Sequence, residues 1–95
     1  MTDLNQLAED SFESALRRNP KFNSDSARLK IYEEVEEFEC ATFNKDADSP
    51  HCPELTAVEE ELADVILSCL VFSKCENIDI EKALRIKNEF NKKRS

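Results

Sequence analysis

An all-α fold, a four-helix up-and-down bundle forming a single domain over residues 1–95, is what the sequence predicts, on three observations. Apolar residues recur at three- and four-residue spacing through four segments, and short polar or proline-containing connections separate them. Glycine is absent and 36% of the residues are charged, with abundant Glu, Lys, Leu and Ala, a composition that favours helices over strands. With 95 residues, a single small core gives little net stability, so association with a second copy would help.

The first helix runs from residue 3 to about residue 18 on Leu4, Leu7, Ala8, Phe12, Ala15 and Leu16. It stops before Asn19-Pro20, because the residue preceding a proline is pushed out of the α region. Asp25 or Ser24 caps the second helix, which continues to about Asn44 with Ile31, Val35, Phe38 and Thr42 as its buried face. Asp46 to Pro53 holds two prolines and several turn formers and is a connection. The third helix starts near Glu54, or at Thr56, which stands at capping-box spacing from Glu59, and continues to about Glu76. From Val65 to Phe72 it is apolar nearly all round, so Leu67, Leu70 and Val71 either form a subunit interface or are covered by the first and fourth helices. Asn77-Ile78 breaks the pattern and Asp79 caps the fourth helix, which reaches about Lys93. Its inner face carries Ile80, Ala83, Leu84, Lys87, Phe90, Asn91 and Arg94.

Composition also narrows function. A net charge of −8 argues against nucleic-acid binding, which relies on Lys and Arg displacing counterions from phosphates. No apolar stretch is long enough to span a membrane and the start, Met1-Thr2-Asp3-Leu4-Asn5, is polar, so no membrane association and a soluble, cytoplasmic protein are expected. The absence of glycine excludes Walker-type phosphate loops and Rossmann fingerprints, leaving metal ions as the route to a phosphorylated ligand. Cys40, Cys52, Cys69 and Cys75 contain no C-x-x-C pair and read as reduced thiols.

Chemistry concentrates in two acidic pairs. Glu34 and Glu37 stand three apart beside Ile31, Val35 and Phe38, and Glu61 and Asp64 stand three apart beside Leu62, Val65, Ile66 and Cys69. Three-residue spacing on a helix puts both carboxylates of a pair on one face, where like charges repel unless a cation lies between them. If the two helices pack antiparallel along their apolar stripes, the four carboxylates face one another across a cleft. Such an all-oxygen set suits magnesium or manganese rather than zinc, copper or iron. A di-iron bundle would need Glu-x-x-His pairs, and the sole histidine, His51, lies in a connection. Asp46 and Asp48 do not begin a calcium loop, which needs a central glycine. Glu33, Glu36, Glu39, Glu59 and Glu60 read as solvated surface. Lys87, Asn91 and Arg94 continue the stripe of Ile80 and Leu84, and two cations with an amide on one face suit a phosphate-bearing ligand. On the residues alone, a non-enzymatic acidic helical protein, its carboxylates a solvated or protein-binding face, remains the alternative.

The order Glu34-x-x-Glu37, 23 intervening residues, then Glu61-x-x-Asp64, with Lys87, Asn91 and Arg94 near the end, resembles the metal-binding signature of the all-α NTP pyrophosphatases, the MazG-like and dCTP pyrophosphatase group. The resemblance covers about residues 28 to 94 and includes the context Glu60-Glu61-Leu62-Ala63-Asp64-Val65. It implies a MazG-like bundle assembled as a homodimer or tetramer. It further implies magnesium, or manganese, on Glu34, Glu37, Glu61 and Asp64, and hydrolysis of a (d)NTP to the monophosphate and diphosphate, with nucleotide-pool house-cleaning as the role. Glu34 or Glu37 would take the proton of the attacking water, and Lys87, Asn91 and Arg94 would hold the substrate. An inactive relative that binds nucleotide is a further alternative. The chain departs from the pattern at Glu36, where many relatives have glycine, and at Ser68, where some have an aromatic. It also lacks tryptophan, so base contacts fall to Phe22, Tyr32, Phe43 or a partner subunit.

Overall fold

A computed structural model of the chain describes residues 3–94; Met1 and Thr2, part of the polar start read above, and Ser95 lie outside the described residues. Four α-helices make up the fold: α1 (Leu4–Arg18), α2 (Ser24–Ala41), α3 (Ala57–Cys75) and α4 (Ile80–Lys92). Among the described residues there is no strand, only an isolated bridge between Asp48 and Thr56. The all-α class is the one expected.

Side-chain caps account for where each helix begins. Asp3 accepts from the Asn5 amide at 2.8 Å to start α1, and Asn19, ahead of Pro20, leaves the helix in an extended conformation. Asn23 caps α2 by accepting from the Ser26 amide at 3.0 Å, one residue before the Ser24 or Asp25 expected from sequence. The last turn of α2 tightens into a 3₁₀ turn over Thr42–Asn44. Of the two starts open for α3, the structure takes Thr56, whose hydroxyl accepts from the Glu59 amide while the Glu59 carboxylate accepts from the Thr56 amide at 2.9 Å. The exit of α3 is a Schellman turn: Asn77 adopts a left-handed φ of 54°, and the Ile78 amide reaches the Ser73 carbonyl at 2.8 Å. Asp79 caps α4, as expected, and also accepts from Asn5 at 3.1 Å, which ties the start of α4 to the start of α1.

Helix α3 is the centre of the packing, with α2 and α1 against it. Ser24 at the start of α2 hydrogen-bonds Glu76 just past the end of α3, whereas Glu34 meets Asp64 near the beginning of α3, so the two helices run antiparallel. Small side chains let them approach: Ala15, Ala27 and Val71 form the core, with Phe12, Phe22, Phe72 and Cys75 packed around it. Val71 packs with Ala15 of α1, and Leu70 is buried as well, so both residues are covered within the chain itself. The opposite stripe of α3, Leu62, Ile66 and Cys69, is the exposed one, and Val35 on α2, expected inside, is 42% exposed.

The fourth helix does not complete the cover. It touches α1 lightly, has no buried residue, and exposes Leu84, Ile86 and Phe90. No helix among the described residues is long and apolar enough to cross a membrane, and all four cysteines are free thiols.

Candidate metal centre

Three of the four carboxylates singled out from sequence come together. Glu34 from α2 and Glu61 and Asp64 from α3 each offer an oxygen, and these oxygens lie within 4.8 Å of one another. The capping box fixes the first turn of α3, one turn ahead of Glu61, and the antiparallel α2·α3 packing brings the middle of α2 alongside. Glu34 is buried at 6% exposure; one of its oxygens lies 3.0 Å from Lys30 Nζ, while the other has no hydrogen-bond partner. One oxygen of Glu61 is likewise buried without a partner. Glu37 stands outside this tight group, exposed but near enough to feel the charge of Glu34.

The electrostatics follow from the crowding. The charge of Glu34 is the largest cause holding the Glu37 carboxyl above its ordinary range. Burial leads for Glu61, with Glu37 and Asp64 adding to it, and burial leads for Asp64 with Glu34 next. Several groups pushed the same way mark a site short of positive charge. Buried carboxylate oxygens without donors are the atoms a divalent cation satisfies, and an all-carboxylate donor set fits a hard, oxygen-loving ion.

A cavity of about 650 Å³ opens beside the cluster. Lys30, Glu34 and Asp64 line it together with Ser11, Ser14, Arg18, Asn19 and Phe22 from α1 and the following loop, and with Leu67 and Ser68 from α3. Phe22, one of the aromatics named from sequence, is therefore in the cavity wall, while Tyr32 and Phe43 are exposed and outside it. Lys87, Asn91 and Arg94 are also exposed and line no part of this cavity. Their charges collect instead around Phe90, with Lys87 Nζ 4.6 Å from the ring centre and Arg94 6.0 Å from it.

Sequence reasoning passed over Lys30, Arg18 and Asn19. For Lys30 a signal existed, since a lysine four residues before Glu34 shares its helix face. Glu60, read as solvated surface, is instead an anchor. The buried Ser49 hydroxyl donates to it, and His51 Nδ1 lies 3.1 Å from it. Ser49 Oγ also accepts from the Cys52 amide at 2.9 Å and the His51 amide at 3.2 Å, which closes the α2–α3 connection over the first turns of α3. Hydrogen bonds to the Ser49 hydroxyl first, and to the His51 ring nitrogen next, hold the Glu60 carboxyl below its ordinary range.

Neither a family model nor a curated protein matches the sequence. Among solved structures, the fold is similar to that of a cyanophage S-2L MazG-like pyrophosphohydrolase bound to dGDP and three catalytic Mn2+ ions per active site. The TM-score is 0.69 and the identity 23%, over 99% of this chain and 82% of that one. The likeness is one of fold: these four helices are arranged as in a MazG-like pyrophosphohydrolase.

Proposed function

We propose that the protein is a divalent-cation-dependent nucleotide pyrophosphohydrolase that converts a (d)NTP and water into the (d)NMP and diphosphate. The observation that carries the reading is the pair of buried, unpartnered oxygens on Glu34 and Glu61, within reach of Asp64. Glu34, Glu61 and Asp64 would hold magnesium or manganese, with Glu37 beside them completing the set. A bound ion would neutralise phosphate charge and acidify a coordinated water.

The chain's own groups do the rest. Water attacks the α-phosphorus, the bond from that phosphorus to the bridging oxygen breaks, and diphosphate leaves with the bonding electrons. Glu37, or Glu34, accepts the proton that the water loses; the raised affinity of Glu37 for protons suits it to the task. Phe22, Ser11 and Ser14 line the space open to the nucleoside, and Lys30 and Arg18 offer cations to the phosphates.

Lys87, Asn91 and Arg94 would reach a substrate through assembly. The uncovered apolar faces of α4, at Leu84, Ile86 and Phe90, and of α3, at Leu62 and Ile66, favour a homodimer or tetramer in which a neighbouring copy covers them. A cytoplasmic house-cleaning role in the nucleotide pool accords with this chemistry.

The test is pyrophosphate release from a panel of NTPs and dNTPs with magnesium or manganese. Turnover should require the ion and fall by about 100-fold or more in Glu61→Gln and Asp64→Asn, with helicity retained. No turnover across the panel with either ion would favour the non-enzymatic acidic protein.

A further inference from the structure

We propose that Lys30 is the built-in counter-cation of the carboxylate cluster, exchanged for the divalent ion when that ion binds and then free to hold a phosphate of the substrate. The inference rests on the metal-centre reading above and adds a specific role within it. Lys30 lies one turn before Glu34 on α2, with Nζ 3.0 Å from Glu34 Oε1 and 3.7 Å from Glu33 Oε2. Among the described residues it is the one cation in a salt bridge with Glu34, whose carboxylate is more than nine-tenths buried and has its second oxygen unpartnered. A single ammonium thus satisfies one oxygen of a cluster that presents at least three carboxylates, and the oxygens of Glu34, Glu61 and Asp64 remain close enough to share one ion.

The exchange is physically reasonable. A divalent ion gains twice the charge interaction with the cluster and accepts several oxygens at once, whereas the ammonium donates to one or two. The two cations repel at such distances, so the lysine leaves as the ion enters. Its side chain is able to leave, being half exposed on a flexible stem. It also has a destination: Lys30 lines the same cavity as Glu34, Asp64 and Arg18, so an ammonium released from Glu34 stays on the wall of the space a polyphosphate would enter.

Calorimetric titration of the wild-type chain, Lys30→Met and Lys30→Arg tests this, first with manganese alone and then with inorganic pyrophosphate at saturating manganese. Lys30→Met should bind manganese about tenfold more tightly and pyrophosphate about tenfold more weakly, while Lys30→Arg stays near wild type in both. Opposite signs are the mark of the exchange. Manganese affinity unchanged or lower in Lys30→Met overturns the proposal, as do two shifts in the same direction, which is what a lysine that merely braces α2 would give. Manganese binding by none of the three proteins overturns the metal-centre reading and the exchange with it; equal manganese binding by all three overturns the exchange alone.

Discussion

Glu34 and Glu61 come from different helices, and each ends in a carboxylate oxygen that is buried with no hydrogen-bond partner. Two such oxygens in one small cluster are a local weakness in the metal-free chain, because burial removes water from them and nothing replaces it.

Neutralising one of them should therefore strengthen the empty protein and remove its response to metal. Glu61→Gln is expected to melt a few degrees above wild type in the presence of a chelator. Manganese should raise the melting temperature of wild type and leave that of the variant nearly unchanged. Thermal melts with chelator and with manganese check both parts, and a variant that melts lower in chelator contradicts the first.

The same crowding sets a pH dependence. Glu37, Glu61 and Asp64 have folded-state pKa values raised above the ordinary carboxylate range. Between the ordinary value and the raised one the folded chain binds more protons than the unfolded chain, so stability rises as pH falls through that window. Glu60 and Asp79 are shifted the other way, and their contribution is present above the ordinary range and lost as pH falls through their lowered values. Metal-free protein is thus expected to be most stable at a mildly acidic pH just above the ordinary carboxylate range. Urea unfolding across pH in chelator measures this, and a steady decline from neutral pH downward would contradict it.

Ser49 offers a test of the connection between α2 and α3. Its hydroxyl donates to Glu60 and accepts from two backbone amides. Ser49→Ala leaves those amides short of an acceptor and should destabilise the chain by about 1–3 kcal/mol, seen as a lower urea midpoint. Removal of the Glu60 partner in a Ser49→Ala, Glu60→Gln double variant should add much less than Glu60→Gln does alone, because the two residues form one network.

The uncovered stripe of α3 predicts assembly. Ile66 is 51% exposed beside Leu62 at 44%. Ile66→Asp should shift the chain toward monomer in sedimentation velocity while its helical circular dichroism persists. A wild-type chain that sediments as a monomer at high concentration would contradict the expectation.

What could be read from sequence, and what could not, divides along physical lines. The register of Glu34, Glu61 and Asp64 is a property of the helical period, and the caps at Thr56 and Asp79 are local chemistry, so both are visible in a string of residues. Which apolar stripe becomes covered depends on where α1 docks. For that reason Leu70 and Val71 are inside while Val35 and Ile66 are not, although all four belong to equally regular patterns. Glu60 looked like surface because its partner Ser49 returns to it through a connection whose path no periodicity describes. Lys87, Asn91 and Arg94 share a face, as the spacing requires, but whether that face meets the cavity depends on how α4 leaves α3 and on what covers it.

The departure of α4 is set at the end of α3. Among the described residues Asn77 alone has a left-handed φ, and with the Ile78 amide on Ser73 and Asp79 tied to Asn5, α4 is aimed by the joint rather than by a bed of side chains beneath it. An outrigger held this way arrives at a neighbouring molecule already oriented, so little chain freedom is lost on docking. Geometry across such a contact would then be inherited from a three-residue hinge, and a change at Asn77 would be felt in the neighbour's half of the assembly before it was felt in its own.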